Sequence, residues 1–169
     1  MNRSISRAAA ATALVVLAPF ALSACGTSFS AQTNQQYQAG VGANLRQGDL
    51  QVYNGLFVDN GDGTATFSGG LLARGDNQSL TSATITPKTG PAIDVTLSAP
   101  IELPGEKLVT LGTTAEILIS DKAVTAGDYV KITFKSDTAT AMIDVPVVAR
   151  TPEYDSVART AAVPAPAVP

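Results

Sequence analysis

Hydrophobic and polar residues alternate with a period of two through the middle of the chain, between residues 46 and 150. Alternation puts apolar side chains on one face of an extended strand and polar side chains on the other. Each such segment therefore predicts a half-buried β-strand. The clearest apolar sets are Ala65, Phe67, Gly69 and Leu71; Ile93, Val95 and Leu97; Val130, Ile132 and Phe134; and Ala141, Ile143, Val145 and Val147.

Residues that favour turns separate these segments. Glycine, asparagine and aspartate accept a positive φ, and proline fixes φ for the first turn position. Several short strands with this spacing predict an antiparallel sandwich or a small Greek-key barrel. The turns are 60–63, 75–77, 88–91, 104–105 and 126–128.

The N-terminal residues have the pattern of an export signal with a lipidation site. Arg3 and Arg7 precede an apolar run at 8–21, and Leu22-Ser23-Ala24 leads to Cys25. The run is shorter than the roughly 20 residues that a membrane-spanning helix needs, so we interpret it as a cleaved signal peptide. Cys25 would then begin the mature chain and carry acyl chains that anchor it to the outer face of the cell membrane. The alternative is a chance cysteine in an ordinary signal.

Composition divides the chain into four segments. We predict a signal peptide at 1–24, a lipidated cysteine with a flexible tether at 25–45, a β-sandwich domain at 46–150 and a disordered tail at 151–169. The tether is rich in small polar residues without hydrophobic periodicity. The tail is rich in proline and alanine, which favour extended polyproline II and supply little core.

The residue inventory excludes most familiar chemistry. The chain has no histidine and one cysteine, so catalytic triads, cysteine–histidine pairs and zinc clusters are ruled out. Loss of Arg3 and Arg7 with the signal leaves nine basic against fourteen acidic residues, a net charge of −5. This balance argues against a nucleic-acid partner. No motif frames a serine or carboxylate nucleophile, so we expect no enzymatic activity and no cofactor.

Four short segments resemble known functional motifs, but the same residues are also expected in turns. The 59–64 loop has aspartates, but glycines occupy positions where a calcium loop needs ligands, so a hairpin turn is expected. Arg74-Gly75-Asp76 has the sequence of a cell-adhesion tripeptide, and Asn77-Gln78-Ser79 has that of a glycosylation acceptor. Both lie at a predicted turn, which explains the same residues. Glu102 and Glu106 flank a turn and could form a carboxylate pair if buried.

Several runs match, in order, the motifs of a known domain family. They include the turn Pro104-Gly105, the pair Gly127-Asp128 followed by Val130, and a threonine–phenylalanine strand at 133–134. The matching runs are 101–112, 115–119, 126–134 and 143–147, with shorter ones at 56–62 and 80–83.

These runs resemble the periplasmic copper chaperone domain of the PCuAC type, and most closely its degenerate form in actinobacterial envelope lipoproteins. The resemblance implies a single antiparallel cupredoxin-like or immunoglobulin-like Greek-key sandwich, with about seven to nine strands. It also implies copper(I) held by histidine and methionine from two neighbouring strands.

This chain lacks the soft ligands that the resemblance implies. The first ligand pair would fall near Val95 to Leu97 and the second near Thr114 and Glu116, none of which is a histidine or a methionine. Met142 is the only thioether of the mature chain, and one methionine does not hold copper(I). We therefore treat Val95, Thr114 and Glu116 as remnant positions of a ligand site and expect no metal.

The sequence thus predicts a lipid-anchored envelope lipoprotein whose sandwich is a non-enzymatic binding module. Its expected partners are the membrane, through the lipid, and another envelope component such as a protein. The alternative is a metal or small-ligand carrier with altered ligands, in which Glu116 and Asp94 would offer oxygen atoms to a harder ion.

Overall fold

The computed structural model describes residues 41–160, which form an all-β domain of ten strands. The predicted signal peptide and Cys25 lie outside the described residues, as do most of the tether and the last nine residues of the tail. The strands are β1 (Ala43–Leu45), β2 (Leu50–Asp59), β3 (Thr64–Ala73), β4 (Gln78–Thr86), β5 (Ile93–Val95), β6 (Ile101–Leu103), β7 (Leu108–Leu111), β8 (Leu118–Ser120), β9 (Tyr129–Ser136) and β10 (Thr140–Ala149).

The strands form one continuous sheet that folds over into two layers. We call β1, β2, β3, β7 and β8 sheet 1, and β4, β5, β6, β9 and β10 sheet 2. The order along the main path is β5-β4-β9-β10-β2-β3-β7. The all-β sandwich predicted from the sequence is therefore confirmed, with ten strands instead of seven to nine because several short edge strands are present.

Strand β10 joins the two sheets. Its first part, from Thr140 to Pro146, pairs antiparallel with β9, and its last three residues pair in parallel with β2. The expectation of a purely antiparallel sandwich is wrong at this one pairing. Pro146 lies at the changeover, where a residue without an N–H donor is tolerated because regular ladder pairing is interrupted there.

Three phenylalanines link the two sheets at the centre of the core. The Phe67 ring on β3 packs edge-on against Phe57 on β2 at 5.6 Å, and against Phe134 on β9 at 5.2 Å. All three side chains are fully buried. Edge-to-face aromatic pairs add about 0.5–1.5 kcal/mol each beyond the burial of their area. Because Phe67 contacts both sheets, it fixes how the layers face each other.

Strand β2 contains a bulge that the alternation pattern does not predict. The register slips between Tyr53 and Leu56, and Asn54 has a φ of 51°. The extra residue lets Val52 and Phe57 both face the core although they are an odd number of positions apart. Leu56 therefore faces away from the main core.

Both predicted domain boundaries need correction. Residues 43–45, expected in the tether, form β1 and pair with β2. Residues 151–160, expected in the disordered tail, include a 3₁₀ turn at Pro152–Tyr154 and a buried Val157. Val157 and Tyr154 pack with Leu56, Val58 and Val148 in a second apolar cluster. The segment after β10 therefore covers the outer face of sheet 1.

Arg150 holds this C-terminal segment in place. Its Nη1 donates to the carbonyl of Tyr154 at 2.8 Å and to that of Val157 at 3.0 Å. Its Nε donates to Oδ1 of Asn60 at 3.1 Å. The hydroxyl of Thr66 donates to the carbonyl of Ala158 at 2.8 Å. Burial lowers the pKa of Arg150 from its usual value, although the guanidinium stays charged at any ordinary pH.

Replacement of Arg150 by methionine keeps the aliphatic stem but removes these donors. We expect Arg150→Met to lower the free energy of unfolding by about 1–3 kcal/mol, because partly buried carbonyls lose their partners. Hydrogen exchange at the Ala158 amide, which donates to the carbonyl of Gly112, should also accelerate. Arg74→Met is the control, because the Arg74–Glu106 ion pair is exposed and contributes about 0–1 kcal/mol. Equal urea midpoints for Arg150→Met and Arg74→Met would contradict the role of Arg150 in holding the C-terminal segment.

Candidate functional site

The two outer faces of the sandwich differ. Val157 and its neighbours cover part of sheet 1, whereas most of the outward side chains of β9 and β10 in sheet 2 are exposed. We call the outward side chains of β4, β9 and β10 the open face. Along β9 these are Tyr129, Lys131, Thr133 and Lys135, of which only Thr133 is half-buried. The remaining members are Ser82, Thr84, Thr86, Thr140, Met142 and Asp144.

The strand register arranges the open face in rows. One row runs from Thr86 through Lys131 to Asp144, and the next runs from Thr84 through Thr133 to Met142. Directly opposite residues on neighbouring strands have Cβ atoms about 4.5–5.5 Å apart. The face is therefore hydroxylated and charged, with the exposed Met142 and Tyr129 as its large apolar groups.

A groove of about 460 Å³ lies at one end of the open face. Tyr129, Lys131 and Asp144 line it from the sheet. Loop residues complete it: Pro87 and Lys88 after β4, and Gly127 and Asp128 before β9. The tyrosine side chain is 64% exposed.

The sequence analysis identified these residues as outward-facing but not as a site. The alternation placed Tyr129 and Lys131 on the polar side of β9, and Asp144 on the polar side of β10. The register that puts Lys131 beside Asp144 comes from strand pairing, which no local pattern encodes. The only signal in the sequence was an aromatic residue at an exposed position beside a glycine–aspartate turn.

Several edge strands of the sheet offer little for pairing with another chain. Strands β1, β5, β6, β7 and β8 each have one neighbour in the sheet and are three or four residues long, whereas the first part of β10 pairs only with β9. Very short edge strands limit the ladder that an added strand can form. At these short strands, recognition by strand addition is therefore less favoured than contact through the open face.

The remnant ligand positions fall on different elements. Val95 lies on β5 of sheet 2, where it is buried in the main core and pairs with Ala83. Thr114 and Glu116 lie in the loop between β7 and β8, whose strands both pair with β3 of sheet 1. Val95 therefore fills a structural position, and the structure joins only Thr114 with Glu116.

Glu116 closes its own loop. Its Oε2 accepts from the Gly112 amide at 2.8 Å, and its Oε1 accepts from the Thr114 hydroxyl at 2.6 Å. Burial raises the pKa of Glu116, but the hydrogen bonds from Thr114 and Gly112 outweigh it and leave the pKa below its usual value. With Gly112 and Ala115 both at positive φ, this loop needs such bonds to hold its shape.

Within residues 41–160, no group of three or more cysteine, aspartate or glutamate side chains is placed to hold a metal ion. Asp94, the other oxygen donor considered, accepts from the Thr84 hydroxyl at 2.9 Å on the outer side of sheet 2. It therefore lies on a different sheet from the Glu116 loop. In the same part of the chain, no helix has the length and apolarity to span a bilayer.

The aspartates of the 59–64 loop stabilise turns, as expected for a hairpin. Asp59 accepts from the amides of Gly61 and Ala126 through separate oxygens. Asp62 accepts from the amide and the hydroxyl of Thr64.

The adhesion and glycosylation tripeptides also take part in turn contacts. Arg74 pairs with Glu106 at 2.8 Å. The amide oxygen of Asn77 accepts from Gly105. Glu106 also accepts from Gly75, whereas Glu102 accepts from Ser79, so the two glutamates bind different partners.

Comparisons with known proteins assign no family. No family model matches the chain, and no curated protein matches it. Among solved structures, the copper-bound PCuAC domain from PmoF2 is similar to 64% of this chain over 99% of its own length. The sequence identity is 16% and the TM-score is 0.49. This degree of similarity assigns no function to the chain.

The Glu116 loop predicts a specific pH dependence. A carboxylate whose pKa is lower in the folded state adds stability above its unfolded pKa and loses it as the pH falls through the folded pKa. We expect Glu116→Gln to cost about 1 kcal/mol at pH 7, the net value of one or two hydrogen bonds. The difference from the wild type should shrink as the pH falls below about 4.3.

Urea unfolding measured at a series of pH values checks this prediction. Thr113→Val, which changes an exposed residue of the same loop, is the control and should match the wild type throughout. A difference between Glu116→Gln and the wild type that is constant across this pH range would be inconsistent with the proposed role of the carboxylate.

Proposed function

We propose that the chain is a lipid-anchored lipoprotein of the cell envelope whose β-sandwich is a non-enzymatic binding module. In this proposal it is a degenerate PCuAC-type domain, as in actinobacterial envelope lipoproteins, that has lost the histidine and methionine ligands of copper. The anchor is a diacylated Cys25, and the open face contacts another envelope component.

One observation carries the binding role. The segment after β10 covers part of sheet 1 with apolar contacts and the hydrogen bonds of Arg150, while the outward side chains of β9 and β10 on sheet 2 are mostly exposed. The open face exposes Tyr129 and Met142, which lie two rows apart in the ladder. Aromatic residues and methionine are enriched in protein interfaces relative to the rest of the surface.

The donor chemistry favours a binding module over the alternative metal carrier. The mature chain has Met142 as its single thioether and no histidine. Thr114 and Gly112 already occupy the carboxylate of Glu116, so a metal would have to displace both hydrogen bonds. Such a site offers one hard ligand, whereas Ca²⁺ takes six to eight oxygens.

The anchor is tested by removing its attachment atom. Expressed with its complete N-terminal sequence in a host that processes lipoproteins, the wild type should fractionate with membranes and incorporate labelled fatty acid. Cys25→Ala should lose the label and the diacyl contribution of about 0.8 kcal/mol per buried methylene. Ser23→Ala leaves the cysteine in place and is the control. Label on Cys25→Ala, or an unlabelled wild type, would refute the anchor.

The open face is tested with two matched substitutions. Met142 on the open face and Leu108 on β7 are each 56% exposed, which makes them matched surface positions on different sheets. In pull-downs from crosslinked membranes, Met142→Glu should lower recovery of the bound component about tenfold, equivalent to about 1.4 kcal/mol. Leu108→Glu should recover as much as the wild type.

A version truncated to the tether sets the background of this pull-down. If the full chain recovers nothing above that background, the binding role is wrong. If Leu108→Glu is impaired as strongly as Met142→Glu, the partner binds elsewhere.

A further inference from the structure

The groove at the end of the open face combines one aromatic ring with a balanced set of charges. Lys88 and Lys131 contribute two positive charges, and Asp128 and Asp144 contribute two negative ones. Thr86 adds a hydroxyl. The groove therefore has hydrogen-bond donors and acceptors but no net charge.

Most of these polar groups have no partner within the described residues. The side chains of Lys88, Lys131 and Asp144 make no hydrogen bond or ion pair within residues 41–160, although Lys131 and Asp144 are directly opposite in the ladder. Asp128 uses Oδ2 to accept from the Thr125 hydroxyl at 3.0 Å, which leaves Oδ1 available. The groove thus presents two ammonium groups, the Asp144 carboxylate and the second oxygen of Asp128 to a ligand.

The charge balance selects the chemistry of the ligand. An anion would meet two carboxylates, and a cation would meet two ammonium groups, so neither is favoured by charge. A hydroxyl group donates and accepts at once, so it can donate to an aspartate and accept from a lysine without carrying charge. Hydrogen bonds to charged groups are about twice as strong as neutral ones. A neutral molecule with several hydroxyl groups fits this arrangement best.

The position of Tyr129 adds an apolar contact to this pattern. Its side chain is 64% exposed and lies two residues before Lys131 on the same face of β9. An exposed tyrosine offers a flat, rigid apolar surface with a polar tip at low entropic cost. The C–H face of a pyranose or furanose ring is apolar, whereas its rim carries hydroxyls.

We propose that this groove is a binding site for a neutral saccharide, with Tyr129 under the sugar ring and the lysines and aspartates on its hydroxyls. This proposal rests on the binding role proposed above and names the ligand class of that surface. A groove of this volume falls within the range of small-molecule sites. Its shallow, solvent-open position suits a unit within a longer glycan, whose ends extend beyond the groove.

The proposal is tested by titrating the full chain in detergent micelles with neutral oligosaccharides. The probes are trisaccharides of glucose, mannose, galactose and arabinose, with trigalacturonate as the anionic comparison. We expect at least one neutral trisaccharide to shift the amide NMR signals of Gly127, Tyr129 and Asp144 with a Kd of about 1 mM or below. Trigalacturonate should bind at least tenfold more weakly.

Variants of exposed residues assign the contacts without disturbing the core. Tyr129→Ser should weaken binding about tenfold, whereas Tyr129→Phe keeps the ring and should bind like the wild type. Asp144→Asn and Lys131→Gln each unbalance the charge and should each weaken binding. Leu108→Glu on β7 is the control and should leave the Kd unchanged.

Three outcomes overturn the saccharide proposal. They are no shift in the groove residues with any neutral trisaccharide at about 10 mM, preferred binding of trigalacturonate, or equal binding by Tyr129→Ser and the wild type. If the membrane component is still recovered and Met142→Glu still loses it, the binding role stands with a protein as partner. If that recovery also fails, both proposals are wrong.

Discussion

The structure depends on one strand belonging to two sheets. The first part of β10 is hydrogen-bonded to β9, and its last residues are hydrogen-bonded to β2. The two layers are therefore parts of one continuous sheet. Without this connection, the sheets would be held together mainly by side-chain packing around Phe67. With it, backbone hydrogen bonds as well as side-chain packing hold the two layers together.

The same strand determines which surface is free. The chain leaves β10 beside β2, so the following residues reach the outer face of sheet 1 and not that of sheet 2. The bulge at Asn54 turns Leu56 toward that face, and Val157 covers it. Sheet 2 receives no such cover from the described residues. The asymmetry between the faces thus follows from topology.

The sequence predicted the parts of this fold that depend on local patterns. The inward residues Val130, Ile132 and Phe134 are all buried, and the hairpin at 60–63 lies where glycine and aspartate indicated it. It did not predict β1, because three residues are too few to show a period. It also missed the packing of Val157 with Leu56 and Val58, which lie about a hundred positions earlier in the chain. Local periodicity contains no information about such distant pairs.

The candidate site was less predictable for the same reason. The resemblance directed attention to Val95, Thr114 and Glu116, and these residues proved to serve the core and a loop. The groove joins Lys88 on one loop with Asp144 on β10, and only strand pairing brings them together. The sequence shows each of these residues as a polar position, but it does not show that they are close together in the fold.

The shortness of the edge strands has a consequence for how copies of this domain meet. A neighbour that aligned its backbone with β5 or β7 would gain only three or four residues of ladder before the strand ended. Contact between copies through these short strands would therefore depend on side chains more than on backbone hydrogen bonds.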